Sequence, residues 1–309
     1  MAQGRLHSAS GELDDAIVEP FEFSQSLHFL RGFGPMSGEQ EFEGPAVTKA
    51  IMVEGQTVVF RVSESKEGRA GKPKLRYELF SKEPLGTYVE ATMATRIAFF
   101  LSLGDDLMPF YAIAKKEDPK FYPLVEGSWG LHQVKFPSLL EISCWALLTQ
   151  RIQRPIALRM KRALTERFGD SLELDGKTYW AFPDYTRLRD AKPNDILEAT
   201  RNQRAMLRLT SLLSSFEELD EEFLKTAPYD KATARLQNVK GIGDWSSQFI
   251  LFRGLGRVEK LQPLNIRPLA ETIQKVYGPD GKTLDEINST YGKWSGYWSV
   301  YLWASTMKN

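Results

Sequence analysis

The chain has 309 residues, enough for two domains, and its 42% apolar and 26% charged residues are those of an ordinary globular protein. Lysine plus arginine equals aspartate plus glutamate at 40 each, so overall charge points to no polyanionic partner and only local patches can. The single cysteine, Cys144, excludes an intramolecular disulfide and any multi-cysteine zinc or iron–sulfur site, and no apolar run approaches the ~20 residues that span a bilayer. Cys144 lies in an apolar stretch and reads as a buried structural thiol, in keeping with a reducing cytoplasm or nucleoid.

The first residues are polar and have no hydrophobic segment, so 1–16 reads as a disordered lead and not as a signal peptide. From Phe21 to about Lys82 the pattern is strand-like. Ala50–Glu54 and Thr57–Val62 flank Gly55-Gln56 as a hairpin, and Leu75–Phe80 alternates in period two. Val89, Met93, Ile97 and Leu101 then recur at four-residue spacing, a helix packed on that sheet. Asp105-Asp106 is placed to cap the next helix.

Residues 118–136 mix proline, glycine and aromatics without period and read as the connection between domains. Beyond them nearly everything reads as helix. Pro137-Ser138 starts a helix through Leu148, Ile156–Phe168 ends at Gly169, and Asp195–Phe216 reads as one helix. Pro228–Leu236, Trp245–Arg253, Ile266–Tyr277, Leu284–Tyr291 and Trp294–Met307 complete the chain. Strands first and helices afterward predict an α+β fold with segregated layers: a small N-terminal antiparallel sheet with packed helices over 17–125, then an all-α domain over 126–309.

Three stretches can carry chemistry. In Val239-Lys-Gly-Ile-Gly243 the glycines tolerate positive φ, and the helix opening at Asp244 or Trp245 turns unpaired N–H groups outward, an arrangement that binds phosphate. A plain helix-to-helix turn is the alternative, since short glycine motifs are weak evidence alone. Arg151, Arg154, Arg159, Lys161, Arg162 and Arg167 stand against the single acid Glu166, and Arg253, Arg257, Lys260 and Arg267 follow the glycine hairpin. Such a face neutralises phosphates, or is merely solvated. Trp245, Phe249, Trp294, Tyr297, Trp298 and Tyr301, with Trp145 and Trp303 nearby, suit a core or a stacking pocket for a planar base.

With these stretches in view, the sequence resembles the helix-hairpin-helix DNA glycosylase superfamily, and most closely DNA-3-methyladenine glycosylase II of alkylation repair. The likeness runs from about Phe136 to Trp303, carried by Ala146–Ile152, Phe182–Leu188, Val239–Trp245, Leu261–Arg267 and Trp294–Trp303 in that order. It implies a base-excision-repair enzyme that flips alkylated bases out of duplex DNA and hydrolyses the N-glycosidic bond. Flipping costs a few kcal/mol and is cheapest at a destabilised base. The resemblance also implies residue roles. Lys240, Gly241, Ile242, Gly243 and Asp244 would grip DNA phosphate, and Gln150, Arg151 and Ile152 would face the gap left by the flipped base. Trp245, Phe249 and Trp294 would wall the base pocket. The carbonyls of Gln237, Val239 and Ile242 would hold a structural Na+ or K+, with no cofactor needed for catalysis. The expected partner is damaged double-stranded DNA, acted on by a monomer without membrane association, in a bacterial cytoplasm and nucleoid or in a nucleus.

Trp245 occupies the place where bifunctional members carry a nucleophilic lysine, and an indole cannot form a Schiff base, so a monofunctional activity is expected. Asn265 falls where the family's catalytic aspartate is expected. An amide orients water or sugar but supplies no negative charge to an oxocarbenium-like sugar. Three explanations stand: an introduced carboxylate-to-amide substitution, a natural variant that binds lesions without cutting, or a chemistry that borrows another acid such as Asp244.

Overall fold

The computed structural model describes residues 6–64, 74–261, 266–279 and 281–307. Strands β1 (His7–Glu12), β2 (Gln40–Glu43), β3 (Ala46–Val53), β4 (Gln56–Glu64) and β5 (Leu75–Ser81) form one antiparallel sheet in the order β1-β5-β4-β3-β2. The expected hairpin joins β3 and β4, with Glu54 and Gly55 at positive φ in the turn. Two expectations for this half are corrected. Residues 7–12 do not belong to a disordered lead, because β1 pairs with β5 from His7 opposite Ser81 to Glu12 opposite Arg76. Its side chains are polar and largely exposed, so the strand is held by its backbone ladder and leaves no hydrophobic trace. Within the stretch read as strand-like, α1 (Phe23–Gly32) is a helix that buries Phe23, Leu27 and Leu30 along one side.

The helices α2 (Thr87–Phe100), α3 (Met108–Glu117) and α4 (Tyr122–Glu126) follow. In α2, Val89, Met93 and Ile97 are buried as their spacing predicts, and Asp106 accepts the Met108 N–H at 3.0 Å at the start of α3. The remaining helices are α5 (Leu139–Leu148), α6 (Arg154–Phe168), α7 (Tyr185–Arg189), α8 (Pro193–Thr200), α9 (Gln203–Ser215), α10 (Glu221–Thr226), α11 (Tyr229–Gln237), α12 (Asp244–Leu255), α13 (Ile266–Tyr277), α14 (Leu284–Tyr291) and α15 (Ser295–Thr306). Ser138 caps α5 by accepting the Glu141 N–H at 3.1 Å. The single helix expected over 195–216 is two, because Arg201 adopts a left-handed φ of 49° and Asn202 caps a new helix on Ala205.

The helical half is not wholly α. Strands β6 (Asp170–Leu174) and β7 (Lys177–Ala181) form a hairpin around Asp175-Gly176, a strong turn signal that the sequence reading passed over. Leu172, Leu174, Tyr179 and Ala181 of this hairpin pack on Ala50, Met52 and Val59. The opposite face, with Val47, Ile51, Val53 and Phe60, joins the main core that extends to Ala304. Every residue of β3 is therefore buried, and its apolar run lacks alternation for that reason.

Candidate DNA-binding cleft

The glycine hairpin connects α11 to α12. Val239 accepts the Ile242 N–H at 3.0 Å across a turn whose third residue, Gly241, has φ +101°. A side chain at that φ is strained, which explains the glycine. Val239 and Ile242 are buried and anchor the turn, whereas Lys240, Gly241, Gly243 and Asp244 are exposed. Gly243 precedes α12 and no side chain caps the helix, so its first N–H groups face outward. Asp244 does not cap; its carboxylate accepts the Gln237 side-chain amide at 2.6 Å.

Helix α5 lies against α12, and a Cβ on Gly254 would sit 2.7 Å from Ile142, so glycine permits the close approach. The α5–α6 loop thereby meets the hairpin. Gln150 donates to the Gly241 carbonyl at 2.7 Å and to Ser246 Oγ at 2.9 Å, tying loop to turn. Arg208 of α9 reaches the carbonyls of Leu147 and Gln150 at 3.5 and 3.4 Å, near the end of α5. Exposed Arg151 holds a left-handed φ of 57°, a strained conformation for a side-chain-bearing residue.

Between these elements lies a cleft of about 1090 Å³, whose lining includes Trp145, Gln150, Arg151, Ile152, Gly241, Gly243, Asp244, Trp245, Phe249 and Trp303. The Trp245 and Phe249 rings stack at 5.0 Å and 8°, with Trp245 43% exposed and Phe249 6%. An exposed indole backed by a buried ring offers a face to a planar ligand. Trp294 is not among the described lining residues. It ends a short 3-10 turn, 6.1 Å from Tyr297, and Trp145 and Trp303 line the cleft. Tyr297, Trp298 and Tyr301 are wholly buried, and their polar tips bond to Asp105, Tyr277 and Tyr111. Asn265 lies outside the described residues, immediately before α13, whose Leu269 reaches the cleft.

Tertiary contacts divide the basic residues. Arg162 pairs with Glu166, Arg167 with Asp195 and Glu198, Arg257 with Glu259 and Lys260 with Asp230, while Lys161 and Arg253 are buried. Arg151, Arg154, Arg204 and Arg208 carry no ion pair among the described residues. Desolvation, then the charges of Arg151 and Arg204, lowers the Arg208 pKa from its ordinary value. Mutual repulsion of this kind marks an electropositive rim, and Arg204 and Arg208, far from the other arginines in sequence, were missed by the sequence reading. Burial pushes the Cys144 thiol far above its ordinary pKa, so it is no nucleophile.

The carbonyls of Gln237 and Ile242 accept no backbone hydrogen bond among the described residues, and that of Val239 accepts one, so lone pairs remain for a cation. No cluster of acidic, histidine or cysteine side chains that would hold a metal occurs among the described residues. No helix among them is long and apolar enough to cross a membrane.

No family model matches the chain. The DNA-3-methyladenine glycosylase of Bacillus subtilis is 29% identical to it over 303 residues, 94% of this chain and 97% of that protein. A protein of the same name from Saccharomyces cerevisiae is 28% identical over 165 residues, 48% of this chain and 52% of that one. The solved 3-methyladenine DNA glycosylase from Archaeoglobus fulgidus shares the fold, with TM-score 0.74 at 17% identity over 96% of this chain and 98% of that chain. An 8-oxoguanine glycosylase/lyase of Clostridium acetobutylicum, solved with double-stranded DNA, gives TM-score 0.61 at 17% identity over 87% of this chain and 98% of that one. The chain is thus similar in sequence to a DNA-3-methyladenine glycosylase over almost its whole length, and it shares its fold with solved DNA glycosylases.

Proposed function

We propose that this protein is a monofunctional DNA glycosylase that flips alkylated bases of the 3-methyladenine type out of duplex DNA and receives them in the Trp245–Phe249 cleft. One observation carries the reading: the outward N–H groups of α12, the strained Arg151 loop and the stacked rings open onto the same cleft. Phosphate is gripped at Lys240–Asp244. Arg151, Ile152 or Gln150 occupies the gap in the duplex, and because Gln150 is spent on tying the loop to the hairpin, Arg151 is the favoured wedge. The protein acts as a monomer on damaged duplex in a nucleoid or nucleus, with Na+ or K+ held by the carbonyls of Gln237, Val239 and Ile242.

An alkylated purine is already cationic and leaves readily, so the chemistry needed is stabilisation of an oxocarbenium-like sugar. Asn265 contributes a dipole there but no charge, a loss of ~10²- to 10³-fold in rate. Asp244 is the sole acid among the described cleft residues, but it is bound by Gln237 at the hairpin. Asn265→Asp is therefore expected to raise release of 3-methyladenine from alkylated duplex by ~10²-fold or more. Release by neither form would sink the catalytic reading. The amide favours a second reading, a lesion-binding protein that senses damage without excision. Tight binding to modified or abasic duplex, with the Asn265→Asp variant inert, would establish it.

A further inference from the structure

A chain of ion pairs, buried except at the half-buried Glu39, adjoins the cleft. Lys161 of α6 is 1% exposed and places its Nζ 2.7 Å from Glu141 of α5 and 2.5 Å from Glu39, which lies between α1 and β2. Glu39 in turn meets Lys49 of β3, 3% exposed, at 3.0 Å. Two ammonium groups and two carboxylates balance in charge. Burial of Lys161 works against its charge, but the coulombic pull and hydrogen bonds of Glu141 and Glu39 prevail and raise its pKa above the ordinary lysine value. Replacing such a network with apolar side chains is often neutral for stability, so its presence calls for a role in specificity or geometry.

Lys161 also touches the backs of two cleft walls. Its Nζ lies 3.4 Å from the Pro35 carbonyl and 5.9 Å from the Trp145 ring, and both Pro35 and Trp145 line the cleft. Pro35 is the contribution of the N-terminal half to the cleft among the described residues, carried on the short 3-10 turn Gly34–Met36. Arg154 closes over the same turn, since a Cβ on Gly34 would lie 2.6 Å from its guanidinium. The turn has no ladder of its own to fix it. Its position rests on packing of Phe33 and Met36 at its two ends, on Lys161, and on the Glu39–Lys49 tie to the sheet.

We propose that Lys161 is a positioning residue: by holding the Pro35 turn against α5 it sets the width of the cleft and so the size of base admitted. The N-terminal sheet then acts as a brace for base selection, which goes beyond the glycosylase reading while resting on it for the identity of the ligand. An ammonium with one acceptor on α5 and two in the segment between α1 and β2 fixes the distance between them, whereas an apolar side chain of similar volume would let the turn slide outward. The Trp245–Phe249 stack and the hairpin lie on other elements and remain intact.

The test compares parent, Lys161→Met and Glu39→Gln, the last removing one charge so that a folded variant is retained if Lys161→Met unfolds. Affinities are measured for three duplexes, bearing 3-deaza-3-methyladenine, 1,N6-ethenoadenine or a tetrahydrofuran abasic analogue. The variants are expected to shift the ratio of affinities at least about fivefold toward the bulkier ethenoadenine, with affinity for the abasic analogue unchanged. Pro35→Ala should shift it the same way. Hydrogen exchange over 33–39, faster in the variants, reads the tether without DNA. An unchanged ratio, an equal loss on all three duplexes or unaltered exchange would overturn the inference. If the parent itself prefers no lesion duplex over undamaged DNA, the glycosylase reading fails, a result distinct from any change between parent and variant.

Discussion

Cations at the cleft rim and cations behind it are treated in opposite ways. Arg151, Arg204 and Arg208 crowd the α5–α6 loop without an ion pair among the described residues, whereas the buried Lys161 is enclosed by Glu39, Glu141 and aromatic rings. The rim is a solvated surface on which repulsion is tolerated; the interior tolerates charge only when it is paired. Rim and interior thus draw on the same residue types. Burial and partners decide which job each performs.

The largest effect expected from breaking this contrast is at Lys161. Lys161→Ala leaves Glu141 without its cation and Glu39 with Lys49 alone, and is expected to cost about 3–5 kcal/mol in urea unfolding at neutral pH. Next comes the hairpin: Gly241→Ala forces a side chain into φ +101°, for about 1–2 kcal/mol of stability, and weakens binding to any duplex. Acid stability sharpens the comparison further. Desolvation raises the Glu39 pKa, but Lys161 and Lys49 together outweigh it and hold the group below its ordinary 4.5. A carboxylate lowered in the folded state stabilises fully above its ordinary value and loses that contribution as pH falls through the folded one. With Lys161→Met the folded value rises, so the acid-unfolding midpoint should move to higher pH; an identical midpoint would show that Glu39 and Lys161 are not coupled. The smallest structural effects belong to the rim. Arg151→Ala and Arg204→Ala should leave the unfolding midpoint where it was and each reduce the salt slope of DNA binding by about one.

Periodicity made the helical half legible, and the glycine hairpin stood out because positive φ has a compositional signature. Ser138 as a cap, α2 on the sheet and the Trp245–Phe249 pair, one helical turn apart, followed from local rules. Strand β1 escaped because its stability lies in backbone pairing with β5, which has no side-chain period. The β6–β7 hairpin carried its signal in Asp175-Gly176, hidden by the helices on either side. Trp294 illustrates a different case. Counted with its neighbours it belonged to an aromatic cluster, within which the structure places Trp303 on the cleft wall and Trp294 at the end of a 3-10 turn.

By itself the sequence determined the order of sheet and helices, the glycine turn before α12, the indole at Trp245 and the amide at Asn265, because each depends on residue type at a position. Only the tertiary structure decided which arginines are unpaired, which tryptophans line the cleft, and that Glu39 of the N-terminal half reaches Lys161 of the helical half. Charge pairing and cavity walls are assembled from residues distant in the chain, and local composition holds no record of those distances.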